Sequence, residues 1–492
     1  MKPNGSHDLA ELKKQSVRAG VVTMASRLAG VLLTLASTAV LARLLTPQDF
    51  GVLAMLMSIT AFVSVFKDFG LSSAAIQKGD RLTAPQASYL FWLNVAAGMG
   101  LTILLIALAP FVGWLVDEPA LVPATTLMSR SFLLTSLGNQ HAAALQSKLM
   151  FHRKAIADIA GAVASFATVM VLALEGYSFW SLVWGTVAGS AVTTLLLIAL
   201  SPLQLTRPER GKSLGQLLHF GGHVTAFEFI NYFHRNLDNI LIGKVWGAEA
   251  LGIYSRAYQL MMFPINNLRT PIGTVAFPAM SKLHGEPEKY RTYYLKVSFL
   301  LALSSMPLVA FLAVAADQVI GLLLGARWQG AVPIFQALAL AAFIQPVASL
   351  RGLVILSSGR SRDYLLLGIV NTIVVCAAFV VGLRWGPFGI AIAYCLATYV
   401  LLYPTMMLSF RSTSIGMGDV WTSIRQPALT SLAAALVVFV LVRPSSTEDV
   451  PIALALGIKA AGFGAVWLLS NALWPGGWRV LRDVRSLFRQ LG

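Results

Sequence analysis

The chain has 492 residues, of which 57% are hydrophobic and only 12% are charged, and its formal net charge is +16. The mean hydropathy of +0.71 excludes an ordinary soluble globular domain. The two cysteines, Cys376 and Cys395, both lie within apolar stretches. Their placement argues against a disulfide framework and against a cysteine-based metal site.

Apolar blocks of about 18 to 25 residues recur along the chain, and each is long enough to cross roughly 30 Å of hydrocarbon. The first block continues through Leu41 without a small-residue cleavage site, so it predicts a retained first span and not a removable signal peptide. The pattern predicts an all-α polytopic membrane protein with twelve to fourteen spans, of which the seventh and eighth are too polar to score well by hydropathy alone. The fourteen predicted spans are 18–42, 49–66, 89–116, 121–147, 155–174, 179–201, 216–243, 248–280, 293–315, 332–357, 364–384, 387–410, 427–442 and 452–473.

The distribution of lysine and arginine tests this count, because both residues accumulate in cytoplasmic loops. Loops and termini on one side hold 24 basic residues, whereas the loops on the other side hold five: Arg43, Lys244, Arg327, Arg384 and Arg443. The split predicts cytoplasmic N- and C-termini and an even number of spans, and fourteen fits best. We interpret the net charge as an orientation signal and an attraction to anionic membrane lipids, and we expect no nucleic-acid binding.

These spans divide the chain into segments with different expected roles. A cytoplasmic segment, a six-span N-lobe, a cytoplasmic linker, a six-span C-lobe, two further spans and a tail are predicted at 1–17, 18–201, 202–215, 216–410, 427–473 and 476–492. The tail places valine and leucine at helical spacing with arginines mostly on the opposite face. It predicts a basic amphipathic helix on the inner leaflet, the alternative being a short solvated tail.

An internal repeat is indicated when the chain is shifted on itself by 201 residues. Residues 44–54 then align with 245–255, and Gly51 meets Gly252. A similar offset of about 209 residues places 172–185 over 381–394. Chance similarity is the alternative for either match alone. Because each half has an even number of spans, the two copies share one orientation and predict a transporter layout with a site at their interface.

Three stretches resemble a known family: "LARLLTPQDFGVLAM" (41–55), "DFGLSSAAIQK" (68–78) and "RNLDNILIGKVWGAEALGIYSRAYQLMMFPI" (235–265). They are similar to the bacterial polysaccharide transporter family, the Wzx-like flippases of the multidrug/oligosaccharidyl-lipid/polysaccharide exporter superfamily. The resemblance implies two six-helix lobes around a central cavity, two additional helices, and alternating access in the bacterial inner membrane. It implies as substrate an undecaprenyl-pyrophosphate-linked oligosaccharide for exopolysaccharide, capsule or O-antigen assembly, with polysaccharide polymerase or export machinery as further partners.

Six arginines within the predicted spans are the candidate substrate-binding residues. A guanidinium keeps its proton, and placing it within the membrane costs a few kcal/mol or more unless it faces water or a partner. The predicted topology puts three in the inner half and three in the outer half, respectively Arg27, Arg269 and Arg351, and Arg130, Arg235 and Arg256. Their planar forks suit a pyrophosphate. The alternative is that each arginine locks helices together by pairing with a carboxylate or a helix-end carbonyl.

Acidic and amide residues in the same spans are candidates for coupling or for salt bridges. Only Asp158, Glu228 and Asp238 are clear intramembrane acids, too few to neutralise six arginines. Asp238 follows Arg235 by three residues, so it is predicted first as its salt-bridge partner. In the related lipid II flippases a seventh-helix aspartate takes part in a sodium site, but the eleventh span here offers Asn371 and no carboxylate.

No cofactor or metal is expected, and coupling to H+ or Na+ is left open. We interpret His219, His223 and His234 as polar residues near a cavity, since nothing in the sequence supplies the remaining ligands of a metal site.

Two other functions compete with a flippase. A multidrug or cation antiporter of the same fold would prefer an acidic or neutral cavity, whereas the predicted lining is basic. A polysaccharide polymerase or ligase would need a large outer loop, and no predicted outer loop exceeds roughly twenty residues. No P-loop is found in the sequence, and no enzymatic activity is expected.

Overall fold

The computed structural model describes residues 30, 34–65, 83–148, 150–208, 214–442 and 450–475, with the helical backbone alone for 214–228. Within these ranges the chain consists of α-helices joined by short turns and contains no β-strand. The prediction of an all-α fold is confirmed. The predicted segments 1–17 and 476–492 lie outside the described residues.

The first of two compact units comprises Met1–Gly252. Its helices are α1 (Thr34–Leu44), α2 (Pro47–Ser64), α3 (Ala84–Val116), α4 (Leu121–Ser147), α5 (Phe151–Leu174), α6 (Phe179–Leu200) and the first part of α7 (Leu214–Leu283).

The start of α2 shows how a short polar sequence fixes a helix end. The backbone N–H of Thr46 donates to the Asp49 carboxylate at 2.8 Å, and the backbone N–H of Asp49 donates to the Thr46 hydroxyl at 3.3 Å. This capping box satisfies two N–H groups that the helix itself leaves unpaired, and Pro47 occupies the first turn, where no N–H is needed.

The second unit comprises Ile253–Gly492. Beyond the remainder of α7 it contains α8 (Pro287–Val314), α9 (Ala316–Leu323), α10 (Ala331–Ala348), α11 (Leu350–Ser357), α12 (Ser361–Gly382), α13 (Gly386–Phe410), α14 (Met417–Leu441) and α15 (Ile452–Leu473), with 3-10 turns at Ala326–Trp328 and Leu383–Trp385.

Helix α14 begins ten residues before the span predicted at 427–442. Its first turns are polar, so hydropathy does not detect them. Asp419 holds this end: its carboxylate accepts the Gly416 N–H at 2.9 Å, and the Arg291 guanidinium of α8 donates to both of its oxygens at 2.8 and 2.6 Å. A bidentate ion pair of this kind fixes both helices in position and orientation.

Nine helical stretches in the described part of the chain are long and apolar enough to cross a membrane, and one of them, Ser361–Phe410, contains both α12 and α13. As predicted, the seventh and eighth spans are not among them, because α7 is too polar. The count of fourteen spans stays a prediction.

Helix α7 bends at Gly247, which has φ +80° and ψ 178°. Only glycine adopts such a left-handed, extended conformation without strain. The bend separates two arms, 214–246 and 248–283, and these match the spans predicted at 216–243 and 248–280 to within a few residues.

Polar contacts inside each unit join helix ends that the predicted topology places on the same side. In the first unit, the predicted outer ends are joined where the Ser178 hydroxyl donates to Asp49 and where Lys244 pairs with Asp117 at 2.8 Å. At the predicted inner ends of the second unit, the Arg360 guanidinium donates to the carbonyls of Ser409 and Leu408, at 3.0 and 2.8 Å. These contacts support the predicted alternation of helix ends.

The start of α2 and the part of α7 just after its bend cross so closely in the first unit that their backbones touch. A Cβ atom built on Gly51 would overlap the Ala248 carbonyl, and one built on Gly252 would overlap the Pro47 carbonyl. The contact is reciprocal: Pro47 and Ala248, like Gly51 and Gly252, are separated by the 201-residue offset of the predicted repeat. Small residues permit such close approach of membrane helices. We refer to Pro47, Gly51, Ala248 and Gly252 as the glycine crossing.

The predicted lobe boundaries stay a prediction, while the first compact unit extends past the linker 202–215 to Gly252. The physical reason is that the first arm of α7 packs against α2. The Tyr232 hydroxyl donates to the Ser58 carbonyl at 2.9 Å, and its ring meets Phe62 at a centroid distance of 5.2 Å.

Candidate functional site

Two predicted substrate-binding arginines lie in the first unit, on α4 and on the first arm of α7. At 1.5 Å per residue, Arg130 lies about 14 Å from the start of α4 and Arg235 about 18 Å from the bend at Gly247. Both side chains are exposed. Neither forms an ion pair or a side-chain hydrogen bond with any described residue. No described residue therefore competes with an external anion for these two guanidinium groups. Arg27 lies outside the described residues.

Asp238 is buried, with 5% of its surface exposed, although it lies on the same helix as exposed Arg235. Its carboxylate accepts the Asn239 backbone N–H at 2.8 Å. No ion pair joins Asp238 to Arg235 in the described residues. The predicted salt-bridge role and the alternative coupling role both stay predictions. The side chain of Glu228, the other acidic candidate on α7, lies outside the described residues.

Asp158, which the sequence offered as a further partner for the arginines, pairs with a lysine. The Lys154 ammonium group on the preceding turn of α5 lies 2.6 Å from its carboxylate. This acid is therefore already engaged by a neighbour on its own helix.

Three predicted arginines lie in the second unit. Arg256 is half-buried and donates to the Gln259 side chain at 2.5 Å, whereas Arg269, thirteen residues further along α7, is exposed. Arg269 forms no ion pair with a described residue. Arg351 on α11 is half-buried, and its guanidinium donates to the Asn371 amide oxygen of α12 at 3.4 Å. The structure thus brings together two residues that the sequence singled out separately.

A polar cluster surrounds Arg351 in the second unit. Tyr364 lies over the Gly352 backbone, and Tyr394 of α13 accepts a hydrogen bond from the Gln345 amide at 2.8 Å. The Arg351 guanidinium therefore meets the Asn371 amide, while no carboxylate among the described residues pairs with it. A guanidinium held by neutral partners keeps its full positive charge for a ligand.

Lys459 lies in α15, within the span predicted at 452–473. In the structure it is 97% buried, and its ammonium group donates to the Val314 carbonyl at 3.1 Å and to the Gln318 side chain at 2.9 Å. It thereby satisfies the C-terminal end of α8. The sequence gives no signal for this contact, because its partners lie more than 140 residues away.

A cavity of about 390 Å³ lies within the first unit between α4, α5 and α6. Glycine, serine and threonine line it, together with Asn139. None of the five predicted arginines that the structure describes belongs to the lining of this cavity. Among the described residues, no group of three histidine, cysteine or acidic side chains is placed to hold a metal ion.

Membrane-length helices in two compact units define a multi-pass helical membrane protein. The chain belongs to the polysaccharide biosynthesis protein family, whose model matches residues 40–333. The predicted family resemblance is confirmed.

Curated relatives and a solved structure agree with this assignment. The lipopolysaccharide biosynthesis protein WzxC of Escherichia coli (strain K12) is 26% identical, over 77% of this chain and 79% of that protein. The teichuronic acid biosynthesis protein TuaB of Bacillus subtilis (strain 168) is 28% identical, over 72% of this chain and 73% of that protein. The lipid II flippase MurJ in an inward closed conformation superposes with a TM-score of 0.76 and 14% identity, covering 94% of this chain and 99% of that chain. The chain therefore shares the fold of that structure.

Proposed function

We propose that the protein is a flippase that moves undecaprenyl-pyrophosphate-linked oligosaccharides across the bacterial inner membrane by alternating access. Its family and its fold support transport in polysaccharide biosynthesis and not catalysis. The product would serve exopolysaccharide, capsule or O-antigen assembly, with a polysaccharide polymerase or export machinery as the receiving partner. The excess of basic residues in one set of loops supports cytoplasmic termini and contact with anionic lipids.

One observation carries the choice of an anionic substrate. Arg130, Arg235 and Arg269 lie on helices of the membrane region, are exposed, and form no ion pair with a described residue. An uncompensated guanidinium in such a position is costly unless it faces water or an anion. A pyrophosphate provides oxygens that accept paired hydrogen bonds from each fork.

Transport in liposomes tests this proposal. The purified protein is reconstituted with a fluorescent undecaprenyl-pyrophosphate oligosaccharide, and a membrane-impermeant quencher reports how much label reaches the other leaflet. We expect the protein to accelerate crossing of this lipid, and to leave a neutral glycolipid with the same oligosaccharide unaffected. A cationic drug assayed in the same vesicles tests the antiporter alternative. Crossing of the drug without crossing of any anionic glycolipid would refute the proposal.

A further inference from the structure

Four buried polar side chains lie on α3 and α4, two helices that pack against each other in the first unit. Both amide atoms of Asn94, Oγ of Ser136, Nε2 of Gln140 and Nδ1 of His141 lack a hydrogen-bond partner among the described residues. The exposure of these residues lies between 0% and 5%. We call Asn94, Ser136, Gln140 and His141 the α3–α4 polar cluster.

The helix register places these residues along one stretch of the α3–α4 contact, about 8 Å long on α4. The Phe91 ring of α3 meets the His141 ring edge-on at 5.8 Å, and Gly98 lies so close to Ser136 that a Cβ atom there would overlap the hydroxyl. The two helices run antiparallel, so Asn94 falls between these contacts, opposite the stretch that carries Gln140. Residues three and four apart share a helix face. Phe91, Asn94 and Gly98 therefore lie on one face of α3, and Ser136 and Gln140 lie on one face of α4.

The chemistry of the cluster selects its ligand. Each polar group buried without a partner destabilises the fold, so four in one place require an occupant. The cluster offers two amide donors, an amide oxygen, a hydroxyl and an imidazole nitrogen, a mixture that water can satisfy from both sides. A metal ion would be repelled by the two amide N–H groups, whereas a proton can be taken up by the imidazole nitrogen.

Few other ionisable groups face this cluster. Helix α6, which packs against α4, contains none, and α3 contains only Tyr89. The remaining titratable or charged groups on α4 and on the other elements packed against it are Arg130 of α4, Asp49 of α2, and His152, Arg153, Lys154 and Asp158 in the first turns of α5. His141 thus carries the one imidazole on α3, α4 and α6.

We propose that the α3–α4 polar cluster is a hydrated proton-binding site, and that proton uptake at His141 couples a proton gradient to transport. This inference rests on the proposed flippase function and assigns its coupling ion. Protonation places a charge inside the helical bundle of the first unit, and Asn94 Oδ1 and bridging water stabilise that charge. The two protonation states therefore favour different packing of α3 against α4.

Transport under an imposed pH gradient provides the first test. A coupled proton adds a driving force of about tenfold per pH unit. We expect wild-type vesicles to respond to the gradient, and His141→Gln to lose that response while retaining exchange of label without a gradient. His152→Gln, an exposed histidine of the same unit, is the matched control. Asn94→Ala should shift the pH at which transport is half-maximal, an effect that a purely structural role would not produce.

The second test reads the site without transport. Nitrogen-15 labelled imidazole signals are recorded on the purified protein between about pH 5 and pH 8, and the His141 signal is assigned by its loss in His141→Gln. Titration in this range supports the site, and a His141 that stays neutral overturns it. A gradient response in His141→Gln equal to that of wild type also overturns the proposal. Titration of His141 without any lipid transport would instead refute the flippase function while the proton site stands.

Discussion

Arg235 is the residue on which the substrate proposal can be tested most directly. It is exposed on α7 and makes no side-chain contact that its removal would leave unpaired in the described residues. We expect Arg235→Gln to slow transport of the pyrophosphate-linked lipid by roughly tenfold to a hundredfold, since one charge-assisted hydrogen-bonding group is lost. Arg235→Lys keeps the charge but not the planar fork, so its transport rate should lie between those of the wild type and Arg235→Gln.

The vesicle assay measures this effect, with Arg384→Gln in the 3-10 turn before α13 as a control at a predicted outer loop. Melting temperatures of the variants establish that the fold is intact. An Arg235→Gln variant that transports at the wild-type rate would remove this arginine from the binding site.

Lys459 gives a prediction about stability and not about transport. Its ammonium group is buried and satisfies both the Val314 carbonyl and the Gln318 side chain. Lys459→Met keeps much of the volume but leaves both acceptors without a donor, and it should lower the unfolding free energy by about 1–3 kcal/mol. Thermal melting in detergent checks this, with exposed Lys296→Met as the matched control. Equal melting temperatures for the two variants would contradict the assigned role.

At the scale of elements, we expect the glycine crossing to hold α2 against α7 at the predicted outer end of the first unit. Any side chain at Gly51 would displace the Ala248 carbonyl. Gly51→Leu should therefore separate α2 from α7 and reduce transport by about tenfold or more, because overpacking of a close contact shifts backbones. Gly100→Leu is the control, since a Cβ atom there meets nothing within 4 Å.

Labelling with a membrane-impermeant thiol reagent reports on the opening. A cysteine is introduced at buried Ser58 in a background where Cys376 and Cys395 are replaced by alanine. Ser58→Cys should react faster when combined with Gly51→Leu than when combined with Gly100→Leu. Identical labelling rates would show that the crossing does not control access.

Sequence reasoning located the helices better than it located their contacts. Apolar blocks predicted the helices, and the local match between 44–54 and 245–255 singled out both glycines of the crossing. The start of α14 was missed because its first turns are polar and are held by Arg291, a residue 128 positions from Asp419. The polar cluster was missed for a related reason: Asn94 and Gln140 are isolated amides in apolar blocks, and only the register of α3 against α4 brings them together.

For the whole molecule, the contacts within each unit and the loop charges lead to one prediction about orientation. Ion pairs and capping contacts join helix ends on the sides that the topology assigns, and 24 basic residues lie on one of these sides against five on the other. Because lysine and arginine are retained on the cytoplasmic side, both termini should lie there.

Reporter fusions in bacteria check this orientation. Green fluorescent protein fused after residue 492 should fluoresce, and alkaline phosphatase at the same position should be inactive, because each requires a different side of the membrane. Fusions after residue 446, between α14 and α15, should give the reverse result, since that connection is predicted to face outward. Phosphatase activity at both positions would show that α15 does not cross the membrane. It would also exclude the even number of spans from which the six arginines were assigned to the inner and outer halves of the membrane.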